Sequence, residues 1–229
     1  MTPNRTDFET RLTLAIDAGS PVVSTALARG GKVVAERQGP SGRSSQGLVQ
    51  MIDALLSEVD ADIGEVGGIV ALRGPGSFTG LRVGLSTCLG LHQALGAPAT
   101  TLTTFETLAA VAPERDLIVV AAVESIRQSW LIQRFRADDI PEPLSEARSV
   151  TIDQLAAEDA DLLIGFGLSD LSIVDEGKLR APVLDAPPLA GPALQLLRRK
   201  GDLEWDPSGL VRPLYLQAVS ATPPAAPTR

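Results

Sequence analysis

The sequence predicts an α/β fold, and three observations predict it. Three short apolar runs separated by Gly-rich turns open the chain. A helical apolar stripe follows them. Strand-like and helix-like segments then alternate up to residue 102. Leu12–Asp17 is the first run and ends in a carboxylate, and Gly19-Ser20-Pro21 turns the chain. Val22–Leu27 is rich in β-branched residues. Arg29-Gly30-Gly31 turns it into Lys32–Arg37, and the Gly-Gly pair marks a hairpin. After the polar loop Gly39-Pro40-Ser41-Gly42, residues Leu48, Met51, Ile52, Leu55, Leu56 and Val59 form one continuous helical stripe, with Ser44 or Ser45 as N-cap. Gly67–Leu72 reads as a fourth strand, Leu81–Leu95 as a second helix ended by Gly96 and Pro98, and Ala99–Leu102 as a fifth strand. The first part is therefore β-β-β-α-β-α-β.

Beyond residue 102 the pattern is weaker. Thr103 or Thr104 caps a short helix running to Val111, and Asp116–Val123 is an apolar strand with which Ser129–Phe135 can pair. Asp139–Leu144 reads as a loop, Thr151–Ala157 as one or two helical turns, Leu162–Gly165 as a strand and Pro188–Arg199 as a helix. Pro213-Leu214-Tyr215-Leu216 is extended. The Pro-rich stretch from Ala221 is expected to be disordered.

Composition excludes several functions. The chain has 229 residues, enough to bury a core without staples, and a net charge of −8, which excludes a generic nucleic-acid binder. Aromatic residues are only 3%, against an aromatic base-stacking platform. One cysteine, Cys88, excludes an internal disulfide framework and a thiolate zinc site, and one histidine, His92, excludes any site needing two imidazoles. The N-terminus lacks the character of a signal peptide. Val83 to Phe105 is free of charge, but its Ser, Thr, Gln93 and Pro98 read as a buried helix plus a strand, not a membrane span. The expectation is a cytoplasmic protein.

Few residues are placed to carry chemistry. Gly74-Pro75-Gly76-Ser77-Phe78-Thr79-Gly80 lies between a strand and a helix, where glycines can turn backbone N–H groups toward an anion. A phosphate loop would end Gly-Lys-Ser/Thr, and here Leu81-Arg82 follows, so a tight turn that brings the helix onto its strand is the plainer reading. Gly74 and Gly76 are the cofactor-contact candidates on that loop. Asp17 is the best single acid, able either to hold a metal or a phosphate-bound water or to cap the following turn, and Glu124 is a weaker one. Ser44, Ser45 and Ser77 lack a nearby base, so no triad can be assembled. No catalytic residue and no metal ligand is assigned. The Leu81–Leu95 helix is apolar on two faces and rich in small residues. It is either sandwiched within one domain or, with the Leu48–Val59 helix, part of a partner interface.

Leu14-Ala15-Ile16-Asp17, Ser24-Thr25-Ala26-Leu27 and above all Gly74 through Gly84 (GPGSFTGLRVG) resemble the bacterial TsaB family, also called YeaZ. Leu89-Gly90-Leu91, Ala94 through Pro98, Leu108-Ala109 and Pro213 through Leu216 extend the likeness. The resemblance implies the two-lobed fold of the actin, Hsp70 and sugar-kinase group, mixed sheets with flanking helices. It implies an N-terminal lobe over residues 1–103, a C-terminal lobe over 104–217 and a tail from 218. It further implies a non-catalytic subunit, without cofactor, in the formation of N6-threonylcarbamoyladenosine in tRNA. Such a subunit docks on the catalytic TsaD through its two N-terminal-lobe helices and is joined by the ATPase TsaE. Apolar surface left on those helices can pair with a second copy, so a homodimer is expected for the isolated chain, and the net charge of −8 makes tRNA contact expected mostly through partners. Docking would run through Leu48, Met51, Ile52, Leu55, Val83, Thr87 and Leu91, with Met51, Leu55, Val83 and Thr87 chosen as outward-facing. The chain departs from the family at Asp17-Ala18-Gly19, where Asp-Thr-Ser is usual, at Ser44-Ser45-Gln46, where His-Ser-Glu is usual, and around Glu124-Ser125-Ile126-Arg127. These changes bear on nucleotide binding more than on docking. The competing readings are an active phosphotransferase of the same fold group and a peptidase.

Overall fold

The computed structural model describes residues 11–40, 45–125, 129–171, 178–201 and 205–215. Two mixed sheets carry the architecture. The first has the order β3-β2-β1-β4-β5, from β1 (Leu12–Asp17), β2 (Val22–Arg29), β3 (Lys32–Pro40), β4 (Val66–Leu72) and β5 (Ala99–Leu102). Strands β1, β2 and β3 run antiparallel in sequence, whereas β4 lies parallel to β1 and β5 parallel to β4. Gly30 and Gly31 both take positive φ, 60° and 69°, as a two-residue hairpin turn with the twist of its strands requires. Helix α1 (Ser45–Glu58) connects β3 toward β4, and α2 (Phe78–Leu95) connects β4 to β5.

The second sheet repeats this plan. Strand β6 (Ile118–Glu124) pairs antiparallel with β7 (Ser129–Arg136), and β7 with β9 (Arg148–Thr151). Strand β10 (Leu162–Gly165) lies parallel to β6, and β11 (Val183–Asp185) parallel to β10. The spatial order β9-β7-β6-β10-β11 thus mirrors β3-β2-β1-β4-β5. A two-residue strand, β8 (Glu142–Pro143), adds to β7 where the sequence reads as loop. Helix α3 (Thr104–Ala109) follows β5, α4 (Ile152–Ala156) precedes β10, and α5 (Ala190–Lys200) follows β11. Thr103 and Thr151 both close capping boxes, with Glu106 and Gln154.

Alternation of side chains gives each sheet two buried faces. The outer face of the first sheet, including Leu14, Ile16, Leu27 and Ile69, is covered by α1 and α2. The outer face of the second, including Val120, Ile132 and Leu163, is covered by α4. The two inner faces share one core. Ala15, Ala26, Val70 and Leu72 meet Val119, Ala121, Phe135 and Ile164 around Phe105 and Leu108 of α3 and Leu194 and Leu197 of α5. Helix α5 is fastened at both ends. Its first amides donate to the first sheet, Ala190 N to Ser24 Oγ at 3.1 Å and Gly191 N to Glu36 Oε1 at 3.2 Å. Its last residue, Lys200, pairs with Glu106 of α3 at 2.6 Å.

The apolar strand expected from Asp116 begins two residues later. Asp116 has φ of 62°, and its N–H donates to Ala137 O, so it belongs to the turn that brings β7 alongside. Ser44 and the stretch from Ala221, expected as a cap and as disordered, lie outside the described residues. Among the described residues no helix is long and apolar enough to cross a membrane.

Because the two sheets share one core, both lobes are expected to unfold in a single transition. Phe105→Ala, at a site with no solvent exposure, should cost about 3–5 kcal/mol in that one transition, read from urea melts followed by fluorescence and circular dichroism. Two separated transitions would show that the lobes are independent.

Candidate functional site

Asp17 and the Gly74–Gly80 loop meet at the ends of β1 and β4. Asp17 is wholly buried, and its Oδ1 accepts from Gly19 N at 3.1 Å and Ser20 N at 3.2 Å. It therefore closes the turn that follows its strand. Its Oδ2 has no hydrogen-bond partner. Burial pushes its pKa up to about 6, against the contrary pull of the Ser20 side chain and the Ser20 and Gly19 amides.

The loop glycines are packed against this turn. A Cβ on Gly76 would stand 2.5 Å from the Gly19 carbonyl oxygen, and one on Gly80 would stand 2.0 Å from that of Ala18. Ser77 N donates to Gly19 O at 2.8 Å, and Ser77 caps α2 by accepting from Gly80 N. Gly74 has φ of 103°, a backbone region that favours glycine. The two turns therefore pack directly against each other.

The remaining candidates are dispersed. His92 is half-buried near the end of α2 and donates its Nδ1 proton to Ala97 O at 2.7 Å. Cys88 is buried on the same helix, and burial pushes its thiol up to about 12, so it is inert at neutral pH. Glu124 is exposed at the end of β6. Among the described residues no group of three or more His, Cys, Asp or Glu could hold a metal ion.

The structure corrects which side of α1 faces outward. Leu48, Met51, Ile52 and Leu55 all point into the core of the first sheet, with Leu55 at no exposure. An amphipathic helix lying on a sheet turns its single apolar stripe inward, and Met51 and Leu55 belong to that stripe. Val49, 55% exposed, with Gln50, Asp53 and Ser57, forms the outer side. On α2 the buried residues are Leu81, Gly84, Leu85 and Cys88. Val83, Thr87 and Leu91 are half-buried, beside exposed Ser86, Gly90 and Ala94. Beyond Arg82 this outer side of α2 carries no acidic, lysine or arginine side chain through Leu95.

Sequence reading missed a cluster at the start of α2. The guanidinium of Arg82 lies 3.9 Å from the centroid of the Phe78 ring, and its Nε donates to the Tyr215 hydroxyl at 3.3 Å. The Phe78 and Tyr215 rings are 5.0 Å apart. The only tyrosine reaches this place because residues 205–215 return to the first sheet. Trp205 sits against Gly68, Leu210 enters the outer core, and Leu214 N donates to Arg73 O at 2.7 Å. No local pattern links Tyr215 to residues more than a hundred positions earlier.

Comparisons with known proteins agree with this architecture. Residues 40–129 match the family model described as TsaD, tRNA N6-adenosine threonylcarbamoyltransferase. The chain is 32% identical over 102 residues to the tRNA threonylcarbamoyladenosine biosynthesis protein TsaB of Bacillus subtilis, covering 42% of this chain and 43% of that one. It is 32% identical over 96 residues to the TsaB of Escherichia coli, covering 42% of each. The match thus spans less than half the length of these curated relatives. A crystal structure from Pseudomonas aeruginosa titled as an uncharacterized protein with similarity to peptidase YEAZ superposes with a TM-score of 0.72 at 22% identity, covering 91% of this chain and all of that one. A structure titled YeaZ from the same organism gives 0.71 at 23%, covering 90% and 100%. The doubled 3-2-1-4-5 sheet order, with helices on the flanks, is thus a two-lobed α/β fold shared with these two structures. Over the matched segment, the chain is similar in sequence to proteins named TsaB.

A raised carboxyl pKa means that the folded state holds the proton more tightly than the unfolded chain does. The Asp17 contribution is therefore most favourable below pH 4 and declines as pH rises through about 6. Asp17→Asn keeps the Oδ1 acceptor of the turn and removes the buried charge. It should raise stability at pH 7.5 by up to about 3 kcal/mol relative to the unsubstituted chain, with the gain vanishing near pH 4. Urea midpoints at the two pH values check this, and an equal effect at both would refute it.

Proposed function

We propose that this chain is a non-catalytic subunit in the formation of N6-threonylcarbamoyladenosine in tRNA, docking on a TsaD-like transferase through the outer side of α2 and the adjoining part of α1. The printed names of its relatives support the process, and the TsaD family match supports kinship with the catalytic partner. The observation that supports the non-catalytic reading is the state of Asp17, the best single acid: it is wholly buried, closes its own turn and lies under the Gly76 and Gly80 contacts with Ala18 and Gly19.

The docking side follows from surface character. Val49, Val83, Thr87, Leu91 and Ala94 offer apolar area with little charge between them. Each side chain fully buried there stabilises association by roughly 1.5–3 kcal/mol, so three or four suffice for a stable pair after the cost of association. Small exposed residues such as Gly90, where a Cβ would meet nothing within 4 Å, let a partner helix approach closely. In isolation the same side can meet its copy about a two-fold axis, giving a homodimer. A TsaE-like ATPase would join the assembled pair.

Val49→Glu combined with Val83→Glu should leave a folded monomer that no longer joins the transferase from the same genome in size-exclusion chromatography with light scattering. Unchanged dimerisation and unchanged complex formation would sink the assignment of this side. The isolated chain should show no ATP turnover above background in a phosphate-release assay. Turnover abolished by Asp17→Asn would favour instead an active phosphotransferase.

A further inference from the structure

One charged side chain stands at the edge of the uncharged outer side of α2. Residues 83–95 hold no acidic, lysine or arginine side chain, and Arg82 immediately precedes them. At 3.6 residues per turn, Arg82, Ser86, Gly90 and Ala94 form one row along the helix, and all four are exposed. Val83, Thr87 and Leu91, half-buried, form the row beside it. Arg82 therefore closes the N-terminal end of the proposed docking side. Its head is held from two directions. The guanidinium lies 3.9 Å from the centroid of the Phe78 ring, and Nε donates to the Tyr215 hydroxyl at 3.3 Å. Both rings are themselves exposed, Phe78 at 53% and Tyr215 at 41%. Among the described residues Arg82 makes no ion pair and nothing accepts from its two terminal nitrogens. Arg37, Arg115, Arg136, Arg148 and Lys200, by contrast, each lie within 4.0 Å of a carboxylate.

A guanidinium stacked on a ring and tethered at Nε has already lost much of its rotamer freedom. Less is lost when its terminal nitrogens meet a carboxylate, which matches their planar spacing. Arginine and tyrosine are also the residue types enriched where binding energy concentrates in an interface. In a chain of net charge −8, a lone cation beside an uncharged patch selects a partner by sign. We propose that Arg82 is the specificity-determining residue of the docking side. It binds a carboxylate on the surface of the transferase and so fixes which way the two proteins meet. The inference rests on the docking reading above and adds the chemistry of the partner: an apolar face with one acidic residue at the end opposite Arg82. A second copy of the chain fits less well. Packed α2 against α2 about a two-fold axis, it has no acid among residues 83–95 to offer. On α1 the exposed acids are Asp53 and Glu58, and Glu58 is already paired with Arg37 at 2.9 Å.

The test measures the affinity of the full chain for the TsaD-like transferase from the same genome, by isothermal titration at about 50 and 500 mM salt. Homodimerisation of the same variants is followed by sedimentation equilibrium. Arg82→Gln should weaken the complex about tenfold at the lower salt and remove most of its salt dependence, and Arg82→Glu should weaken it about a hundredfold. Arg82→Lys keeps the charge without the planar pair of donors and should recover only part of the affinity. Homodimerisation should change by no more than about twofold in each variant. Each exposed Asp and Glu of the transferase is then changed singly to Arg, and one such variant should bind Arg82→Glu at least about tenfold better than the unsubstituted transferase does. Salt dependence and rescue by reversed charge are readouts that a purely structural role for Arg82 would not move. Circular dichroism and urea midpoints establish that each variant is folded.

A folded Arg82→Glu variant that binds the transferase as the unsubstituted chain does, at both salt concentrations, would overturn the role of Arg82 and leave the docking reading standing. Failure of every reversed charge on the transferase to rescue Arg82→Glu would overturn it equally. If Arg82→Glu loses the homodimer and Asp53→Arg on the same chain restores it, the carboxylate belongs to a second copy and the transferase contact is overturned. Absence of any complex for the unsubstituted chain would overturn the docking reading itself, and the role of Arg82 with it.

Discussion

The rest of the structure depends on the apolar layer shared by the two sheets. Phe105 and Leu108 from α3, with Leu194 and Leu197 from α5, fill the volume between β1, β2 and β4 on one side and β6, β7 and β10 on the other. Burial of that layer removes the independence of the lobes. Ser24, Glu36 and the Lys200–Glu106 pair then fix where α5 crosses it. These contacts tie α5 to the first sheet at its start and to α3 at its end.

Asp17 shows the consequence at one residue. A carboxylate at the end of a first strand can face a solvated cleft and a bound cation. Here it is buried, caps its own turn and leaves one oxygen without a partner. An unpaired buried oxygen is costly, and the raised pKa expresses that cost as a preference for the neutral form. The glycines of the adjoining loop serve the same closure, because any side chain on Gly76 or Gly80 would drive the loop off the Ala18–Gly19 turn.

Much of this was legible in the sequence, for identifiable reasons. The first hundred residues carry strong period-2 and period-3.6 patterns with glycine turns between them, so β1 to β5 and both long helices could be read directly. Strands β9 and β11 were not, because four and three residues with exposed alternate positions carry too little pattern. The outward side of α1 was misjudged for a physical reason: a stripe of six apolar residues says that one side is buried, not what buries it. The Phe78–Arg82–Tyr215 cluster was invisible because it forms only when residues 205–215 fold back onto the first sheet.

The proposed non-catalytic role requires that Asp17 serve the fold and not the transfer reaction. Its most direct test is threonylcarbamoyl transfer to tRNA by the complex reconstituted with TsaD-like and TsaE-like partners, comparing the unsubstituted chain with Asp17→Asn. The account predicts transfer rates equal within about twofold. A loss of a hundredfold or more, about 2.7 kcal/mol in the transition state, with the variant folded and fully incorporated into the complex, would contradict it.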